Sequence, residues 1–225
     1  MVRLVLFDID GTLIQTDGAG IKAFDRAFAL GFEVENAAAE INFSGRTDTG
    51  ILEDLFSSHG VEPSWENFQR FFHAYTHLLD FYLSQSKGEI LPGVNGLLRD
   101  LLGMNERPAI GLLTGNHRLG AQIKLRHHRL WHFFETGAFG CEHADRNEIA
   151  RIAHRRGTRF TNADLTGDEI LVIGDTTRDI DCANAIGARS LAVATGGCDL
   201  DELRDHNPTW AVDDLTRIHL SEICG

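Results

Sequence analysis

The sequence predicts an α/β fold, a doubly wound parallel sheet interrupted by an inserted all-helical segment. Short apolar runs, each bounded by a glycine or polar turn, alternate along the chain with segments of helical periodicity. That alternation is typical of a parallel sheet with right-handed crossovers. Over about residues 18–86, by contrast, the apolar residues keep to helical spacing. This stretch therefore indicates an insertion into the sheet and not a continuation of it.

The apolar runs set the expected order of elements. Strands are predicted at residues 4–7, 109–113, 170–173 and 190–194, with helices at about 94–102 and 118–130. In the insertion, aromatic residues such as Phe24, Phe28 and Phe71 recur at helical spacing and are expected to pack between helices. The turn at 91–93 marks the return to the sheet. We therefore divide the chain into a core domain, 1–15 and 89–225, and a helical cap domain, 16–88.

Composition limits the classes of function. With 225 residues and 43% hydrophobic composition, the chain can bury a substantial core, while its formal charge of −12 argues against a nucleic-acid partner. The four cysteines lack C-x-x-C spacing, so free thiols in a reducing cytoplasm are expected. No run approaches the roughly 18 apolar residues of a membrane span, so no membrane partner is expected. The sequence does not indicate an oligomeric state.

Polar residues follow three of the predicted strands where each strand ends. They are Asp8 and Asp10 after the first strand, Thr114, Gly115 and Asn116 after the second, and Asp175 and Asp179 after the third. Taken singly, each group has a simpler explanation as a turn or a helix cap. Because the carboxyl ends of parallel strands share one edge of the sheet, the three groups together predict a site there.

The chemistry that such a site suits is phosphoryl transfer. Asp8 is the candidate nucleophile, because a carboxylate can attack phosphorus and the resulting aspartyl-phosphate can then be hydrolysed by water. Asp10 can protonate the leaving alcohol and later deprotonate that water. Asp8 and Asp175 offer the hard oxygen ligands that Mg²⁺ prefers, whereas the His and Cys spacing of a zinc site is absent from these loops.

The string FDIDGT, residues 7–12, resembles the first motif of the haloacid dehalogenase-like hydrolases, a superfamily made mostly of phosphatases. With the later motifs and the helical insertion, the chain is similar to the phosphoglycolate phosphatase-like subgroup. The resemblance implies that Asp10 gives its backbone carbonyl to the metal and that Asp179 supports the metal ligands. It also implies that the Thr114 hydroxyl binds a phosphoryl oxygen.

The resemblance further implies an anion cradle. Backbone N–H groups of Gly115 and of the Asp10–Gly11 turn would contribute to it, and we count Gly11, Thr12, Gly115 and Asn116 as substrate-binding. Asn116 would touch the substrate, orient Asp8 or cap a helix, and these alternatives stay open.

The family's third motif is a lysine about thirty residues beyond the second, and here that register holds Arg146. Arg146 could pair with Asp8 and the phosphoryl group as a fixed cation. Lys124, on the helix that follows Thr114, is the rival. A site with several carboxylates and a phosphate dianion needs a cation besides the metal, so we expect at least one of the two to act there.

In the cap, the stretch 43–48 resembles the substrate-specificity loop of the subgroup, which would place Arg46 on an anionic or polar group of the substrate. The alternative is a helix N-cap at Ser44 or Thr47 with a surface arginine. Closure of such a cap would exclude water and set specificity.

The sequence thus predicts a Mg²⁺-dependent phosphatase that hydrolyses a small phosphorylated metabolite through an aspartyl-phosphate. The family also includes dehalogenases, but they lack the second acid and need no metal, so Asp10 and Asp175 argue against that activity. One alternative is a phosphomutase like β-phosphoglucomutase, which would return the phosphoryl group to a sugar. Another is a phosphate-binding regulatory module without turnover.

Overall fold

The computed structural model describes residues 1–39 and 41–224. Its strands are β1 (Leu4–Phe7), β2 (Ile14–Gln15), β3 (Glu89–Ile90), β4 (Ala109–Thr114), β5 (Thr136–Phe139), β6 (Ile170–Gly174), β7 (Arg189–Val193) and β8 (Trp210–Val212). Its helices are α1 (Ala19–Phe32), α2 (Asp48–Ser58), α3 (Trp65–Gln85), α4 (Val94–Gly103), α5 (Arg118–His127), α6 (Arg146–Thr161), α7 (Thr177–Ala185), α8 (Leu200–Asp205) and α9 (Leu220–Ile223). Short 3₁₀ turns lie at Trp131–Phe133, Gly167–Glu169 and Leu215–Arg217.

Six strands form one parallel sheet in the order β5-β4-β1-β6-β7-β8. The order reverses at β1, whose neighbours are β4 on one side and β6 on the other, and a crevice opens beyond the strand ends at such a point. This sheet confirms the predicted doubly wound α/β fold. It also brings the residues after β1, β4 and β6 to a single edge.

Strand β1 lies at the centre of the core and is buried on both faces. Leu4 and Leu6 pack on one side with Ile149 and Ala153 of α6, whereas residues 5 and 7 face the opposite layer that includes α4 and α5. Alternate residues therefore contact opposite layers of helices, as the period of two in a strand requires.

Between β2 and β3 the chain forms three helices, α1 to α3, around an aromatic cluster that includes Phe24, Phe28, Phe56 and Phe71. The chain leaves the sheet through β2 and returns through β3, and these strands pair antiparallel. The division into domains at 15/16 and 88/89 stays a prediction. Glu40, inside the predicted cap, and Gly225, at the end of the predicted core, lie outside the described residues.

The structure adds elements that the sequence pattern did not indicate. Strand β5 holds the sequence Thr-Gly-Ala-Phe, and β8 is only three residues long, so neither forms an apolar run of normal strand length. Helix α5 ends at His127, earlier than the predicted 130, because Arg129 takes a left-handed conformation with φ of 59°. Among the described helices, none combines the length and apolar character needed to cross a bilayer.

Candidate active site

Three buried carboxylates meet at the carboxyl edge of the sheet. Asp8 follows β1, Asp175 follows β6, and Asp179 lies in the first turn of α7, with one oxygen of each within 4.8 Å of the others. All three residues are at most 6% exposed. The fold thus brings together three of the four residues that the sequence assigned to a metal.

Each carboxylate is held by partners from other parts of the chain. Asp175 accepts hydrogen bonds from the Thr12 hydroxyl at 3.0 Å and from the Gly197 N–H at 2.6 Å. Asp179 accepts from the N–H and hydroxyl of Thr176 at 3.0 and 2.7 Å. Thr12, which the resemblance places among the substrate-binding residues, is 1% exposed and orients Asp175. Its hydroxyl therefore holds a carboxylate, and a role of Thr12 in substrate binding stays a prediction.

Arg146 is the buried cation of this cluster. Its Nη2 lies 2.6 Å from Asp179 Oδ1 and 3.1 Å from Asp8 Oδ1. Arg146 begins α6 directly after the N-cap Asp145, so the helix start fixes its position. Asp8 Oδ1 is buried and has no well-directed hydrogen bond despite this ion pair. One oxygen of the candidate nucleophile therefore keeps its acceptor capacity.

Burial makes the charged form of these acids costly. Burial raises the pKa of Asp8 to about 6, partly offset by Arg146, and raises the pKa of Asp175 to about 8, with the charge of Asp179 adding to the effect. A bound cation would favour the anions and reverse this trend.

Asp10 belongs to a second polar group beside the carboxylate cluster. Its Oδ2 accepts hydrogen bonds from Lys124 Nζ at 2.6 Å and from Asn116 Nδ2 at 2.8 Å, and Asn116 Oδ1 accepts from Lys124 at 2.6 Å. Asn116 also donates to the Thr114 hydroxyl oxygen at 2.9 Å. The Asn116 amide therefore orients Asp10 and Lys124, and contact of Asn116 with a substrate stays a prediction.

The two rival cations consequently have different partners. Arg146 pairs with Asp8, the candidate nucleophile, whereas Lys124 pairs with Asp10, the candidate acid and base. The Asp10 side chain faces Lys124 and lies outside the carboxylate cluster. Ligation of a metal by the Asp10 backbone carbonyl stays a prediction.

The Thr114 hydroxyl accepts two hydrogen bonds, from the N–H and the side-chain amide of Asn116. Its own proton therefore remains to be donated to Asp8 or to a phosphoryl oxygen. The predicted N–H cradle is only partly available. The Gly11 N–H donates to the Ile14 carbonyl at 2.9 Å, so it is not free to bind an anion.

Two glycines let the surrounding loops close tightly on the site. Gly11 has φ of +81°, and a Cβ there would collide with the Asp175 carboxylate. A Cβ at Gly115 would collide with the Arg46 carbonyl of the cap. Asp48, next in the cap loop, donates its N–H to the Gly115 carbonyl at 2.7 Å. Gly115 is therefore a point of cap–core contact.

A cavity of about 340 Å³ lies between the sheet edge and the helical insertion. Its floor includes Asp8, Asp10, Asp175, Lys124 and Arg146. The cap contributes Ile21, Phe24, Phe43, Arg46, Asp48, Ile51 and Tyr75. The volume is at the lower end of the range of small-ligand sites, so the cavity suits a small substrate.

Arg46 lines this cavity, but its guanidinium is bound within the cap. Nη2 lies 2.5 Å from Asp54 Oδ2 and 3.3 Å from the Gly50 carbonyl, both on α2. The Asp54 side chain is 64% exposed, so the pair faces solvent. Thr47, named as an alternative, is the N-cap of α2 and accepts from the Gly50 N–H. The structure thus brings the Arg46 backbone to the site and ties its charge to Asp54.

Asp48 is a site residue that the sequence reasoning missed. It begins α2, lines the cavity, and accepts the His117 N–H at 2.7 Å. Burial raises the pKa of Asp48 to about 6, with Lys124 lowering it and Asp10 raising it. In the sequence, Thr47-Asp48 reads as an ordinary helix start, and only the docking of the cap on the core brings Asp48 to the cavity.

The carboxylate cluster fits a divalent cation. It supplies hard oxygen atoms from separate segments, and Asp8 Oδ1 lacks a directed partner. Both Asp179 oxygens already accept bonds from Arg146 or Thr176. Both Asp175 oxygens also accept one bond each, from the neutral donors Thr12 and Gly197, whereas Asp179 lies 2.6 Å from the cation Arg146. Asp8 and Asp175 therefore stay the predicted direct ligands, with Asp179 holding Arg146 and the loop.

The comparison with protein families agrees with this geometry. A model of the haloacid dehalogenase-like hydrolases matches residues 5–193, which include both acid-bearing strand ends and the insertion between them. The chain belongs to this family. The match confirms the resemblance seen in FDIDGT and the prediction that the chain is an enzyme.

Relatives of this haloacid dehalogenase-like hydrolase extend over almost its whole length. IndB of Dickeya dadantii, named as a candidate phosphatase, is 27% identical over 226 residues, covering 97% of this chain and 92% of IndB. PpaX of Clostridium perfringens, named as a candidate pyrophosphatase, is 25% identical over 217 residues, covering 95% of this chain and 94% of PpaX. A hydrolase from Pseudomonas syringae has the same fold, with a TM-score of 0.74 at 22% identity over 99% of each chain.

Proposed function

We propose that this hydrolase is a Mg²⁺-dependent phosphatase that cleaves a small phosphate monoester through an aspartyl-phosphate on Asp8. One observation carries the proposal. Asp8 lines the cavity at the sheet edge, with Arg146 3.1 Å from its Oδ1 and the carboxylates of Asp175 and Asp179 beside it. A carboxylate fixed through one oxygen in this way can attack phosphorus with its other oxygen. The names of two relatives, one a phosphatase and one a pyrophosphatase, support hydrolysis of a phosphoryl group.

The second acid suits the proton transfers. Both described contacts of the Asp10 carboxylate are to Oδ2, which leaves Oδ1 to exchange a proton with the leaving-group oxygen. Asp10 would protonate that oxygen as the bond to phosphorus breaks. It would then take a proton from the water that attacks the aspartyl-phosphate, which releases inorganic phosphate and restores Asp8. Lys124 and Asn116 would keep Asp10 oriented through both steps.

Charge on the transferred group needs matching cations. Arg146 and the Thr114 hydroxyl would stabilise the phosphoryl oxygens beside Asp8. Asp8 and Asp175 would hold Mg²⁺, with Asp179 supporting them, and the ion when bound would neutralise charge on the phosphoryl group. The four free cysteines suit a reducing, cytoplasmic setting.

A phosphomutase has less support. Such an enzyme must hold a substrate that carries a second phosphate while the phosphoryl group is returned. In the described part of the cap, the cation that lines the cavity is Arg46, and it is paired with Asp54. The cavity therefore suits hydrolysis better than transfer back to a phosphorylated sugar.

Phosphate release from small esters tests the proposal. With Mg²⁺ the wild type should release inorganic phosphate, and EDTA should stop it. Asp8→Asn should lower kcat by about 10⁴-fold or more, because the nucleophile is lost. Asp164→Asn, an exposed acid outside the cavity, is the matched control and should keep wild-type activity. Mass spectrometry of acid-quenched wild type should find one phosphoryl group on the peptide that contains Asp8.

Three results would contradict the proposal. If Asp8→Asn keeps its activity, the nucleophile is another group. If an isomerised sugar phosphate appears in place of free phosphate, the enzyme is a mutase, and if phosphate binds without any turnover, the regulatory alternative is favoured.

A further inference from the structure

The position of Asp8 determines where the leaving group of a substrate must lie. In phosphoryl transfer the attacking and leaving oxygens are roughly in line through phosphorus. Since Asp8 attacks from the sheet edge, the leaving group points away from the sheet and into the cap half of the cavity. That half is lined by Phe24, Phe43, Arg46, Asp48, Ile51 and Tyr75.

The charges in this half of the cavity are unbalanced. Among residues 1–39 and 41–224, the cations that line the cavity are Arg46, Lys124 and Arg146. Each is already paired: Arg46 with Asp54, Lys124 with Asp10, and Arg146 with Asp8 and Asp179. A leaving group with its own carboxylate or phosphate would therefore find apolar walls and a like charge, without a free cation to receive it.

Asp48 is held in place by the core. Its N–H donates to the Gly115 carbonyl, and its Oδ2 accepts the His117 N–H. The Asp48 carboxylate is therefore fixed by backbone groups, and Lys124, whose Nζ is bound to Asp10 and Asn116, favours its charged form without forming an ion pair with it. The carboxylate keeps further acceptor capacity. A fixed carboxylate on an apolar wall recognises hydroxyl or ammonium donors.

We infer that the enzyme selects phosphate monoesters whose leaving group carries a hydroxyl or ammonium donor and no second anion, with Asp48 as the specificity-determining residue. This inference rests on the proposed phosphatase function and narrows its substrate class. It differs from the expectation that Arg46 holds an anionic group of the substrate. It also sets this chain apart from a pyrophosphatase, whose leaving group is itself a phosphate.

Three two-carbon phosphate esters test the inference directly. Aminoethyl phosphate, hydroxyethyl phosphate and phosphoglycolate share the phosphoryl group and similar size, and they differ in a positive, neutral or negative end. We expect kcat/KM to fall in that order, with about a tenfold or greater difference between the first and the last, because like charges at short range are strongly unfavourable. p-Nitrophenyl phosphate, which lacks both donor and second anion, reports basal phosphatase activity.

Asp48→Asn removes the charge of this residue and keeps an oxygen that can accept the His117 N–H. It should reduce the ratio of kcat/KM between aminoethyl phosphate and phosphoglycolate by about tenfold. Glu53→Gln is the matched control, an exposed acid on the same helix that lies outside the cavity lining, and should leave the ratio unchanged. A purely structural effect of Asp48→Asn would lower kcat/KM for all the esters together and leave the ratio unchanged.

The outcomes separate this inference from the proposed function. Equal or faster hydrolysis of phosphoglycolate by the wild type overturns the inference, as does a ratio that Asp48→Asn does not change. Hydrolysis of p-nitrophenyl phosphate without turnover of any two-carbon ester also overturns it. Failure to release phosphate from all four compounds overturns the proposed function itself. If Asp48→Asn does not fold, the order of kcat/KM that the wild type shows for the three esters still tests the inference.

Discussion

The sheet edge and the cap face the same cavity but neutralise their charges in opposite ways. At the sheet edge, acids and cations come from different segments and meet only in the folded core, as when Arg146 pairs with Asp8 and Asp179. In the cap, Arg46 pairs with Asp54 only eight residues away and on the solvent side. The core cations therefore contact the acids proposed to react, whereas the cap cation is paired on the solvent side.

The contrast teaches how the two regions divide their roles. Removal of a buried cation from between carboxylates destabilises the fold, and the same cation stabilises a transferring phosphoryl group, because in either case it balances charge that water cannot reach. A surface ion pair contributes little to stability, but here it removes a positive charge from the leaving-group half of the cavity. Substitutions that break the buried ion pairs should therefore change stability and activity much more than substitutions that break the surface pair.

The largest effect is expected for Arg146→Met, which keeps the length of the side chain and removes its charge. Asp8 and Asp179 would be left buried without their cation, and their side chains are only 8% and 3% exposed. We expect a loss of about 3–5 kcal/mol in the free energy of unfolding, measured with urea in the presence of EDTA. With Mg²⁺, kcat for phosphate release should fall by about 10²–10³-fold.

Lys124→Met is the matched variant at the rival cation. Asp10 has a side chain 39% exposed and would retain the Asn116 amide, so water can take over part of the lost interaction. Its loss of stability should be smaller than that of Arg146→Met, and its effect should be on kcat through the orientation of Asp10. A larger loss of stability in Lys124→Met would contradict the assignment of Arg146 to the central cluster.

The sequence could predict the sheet edge because strand ends impose it. Asp8, Asp175 and Thr114 each follow an apolar run, and the topology of a parallel sheet brings such positions together whatever the intervening chain does. The same reasoning could not choose between Arg146, at the start of α6, and Lys124, in the last turn of α5, since only packing decides which carboxylate each one reaches.

The cap half of the site is harder to predict, because packing of the cap on the core decides which side chains reach the cavity. Asp48 looks like a favourable acid in the first turn of a helix, which it is, and its place in the cavity depends on contacts with Gly115 and His117 in the core. The role expected for Arg46 assumed that its side chain points inward, whereas Asp54, two helical turns along α2, holds it outward. Tertiary docking, not local pattern, determines both positions.

A smaller loss of stability is expected on lowering the pH, at the contact between the cap and the core. His117 stacks on Phe72 of α3 with ring centroids 4.1 Å apart, and burial lowers the pKa of His117 from 6.5 to about 4. Between these values the unfolded chain binds more protons at this site, so stability is lost as pH falls from about 6.5 toward 4. The ring is partly exposed, and we therefore expect about 1 kcal/mol between pH 7 and pH 5, by urea unfolding.

His117→Asn is the control for this pH effect. His117 Nδ1 accepts the Leu119 N–H as the cap of α5, and asparagine can do the same without titrating. The raised pKa of Asp48 acts in the opposite direction, since its protonation near pH 6 relieves a buried charge, but both proteins share it. The difference between wild type and His117→Asn therefore isolates the imidazole, and equal pH dependence in the two proteins would refute the prediction.

The smallest effect is expected for Arg46→Met, although the loop that carries Arg46 lies directly over the site. The variant breaks a solvent-facing ion pair, which is worth at most about 1 kcal/mol, and it leaves the Arg46 backbone on Gly115. Phosphate release from aminoethyl phosphate, hydroxyethyl phosphate and phosphoglycolate should change by less than about threefold and to the same extent for each. A selective loss for phosphoglycolate would show that the guanidinium leaves Asp54 to meet the substrate, and the charge contrast between cap and core would then disappear when substrate binds.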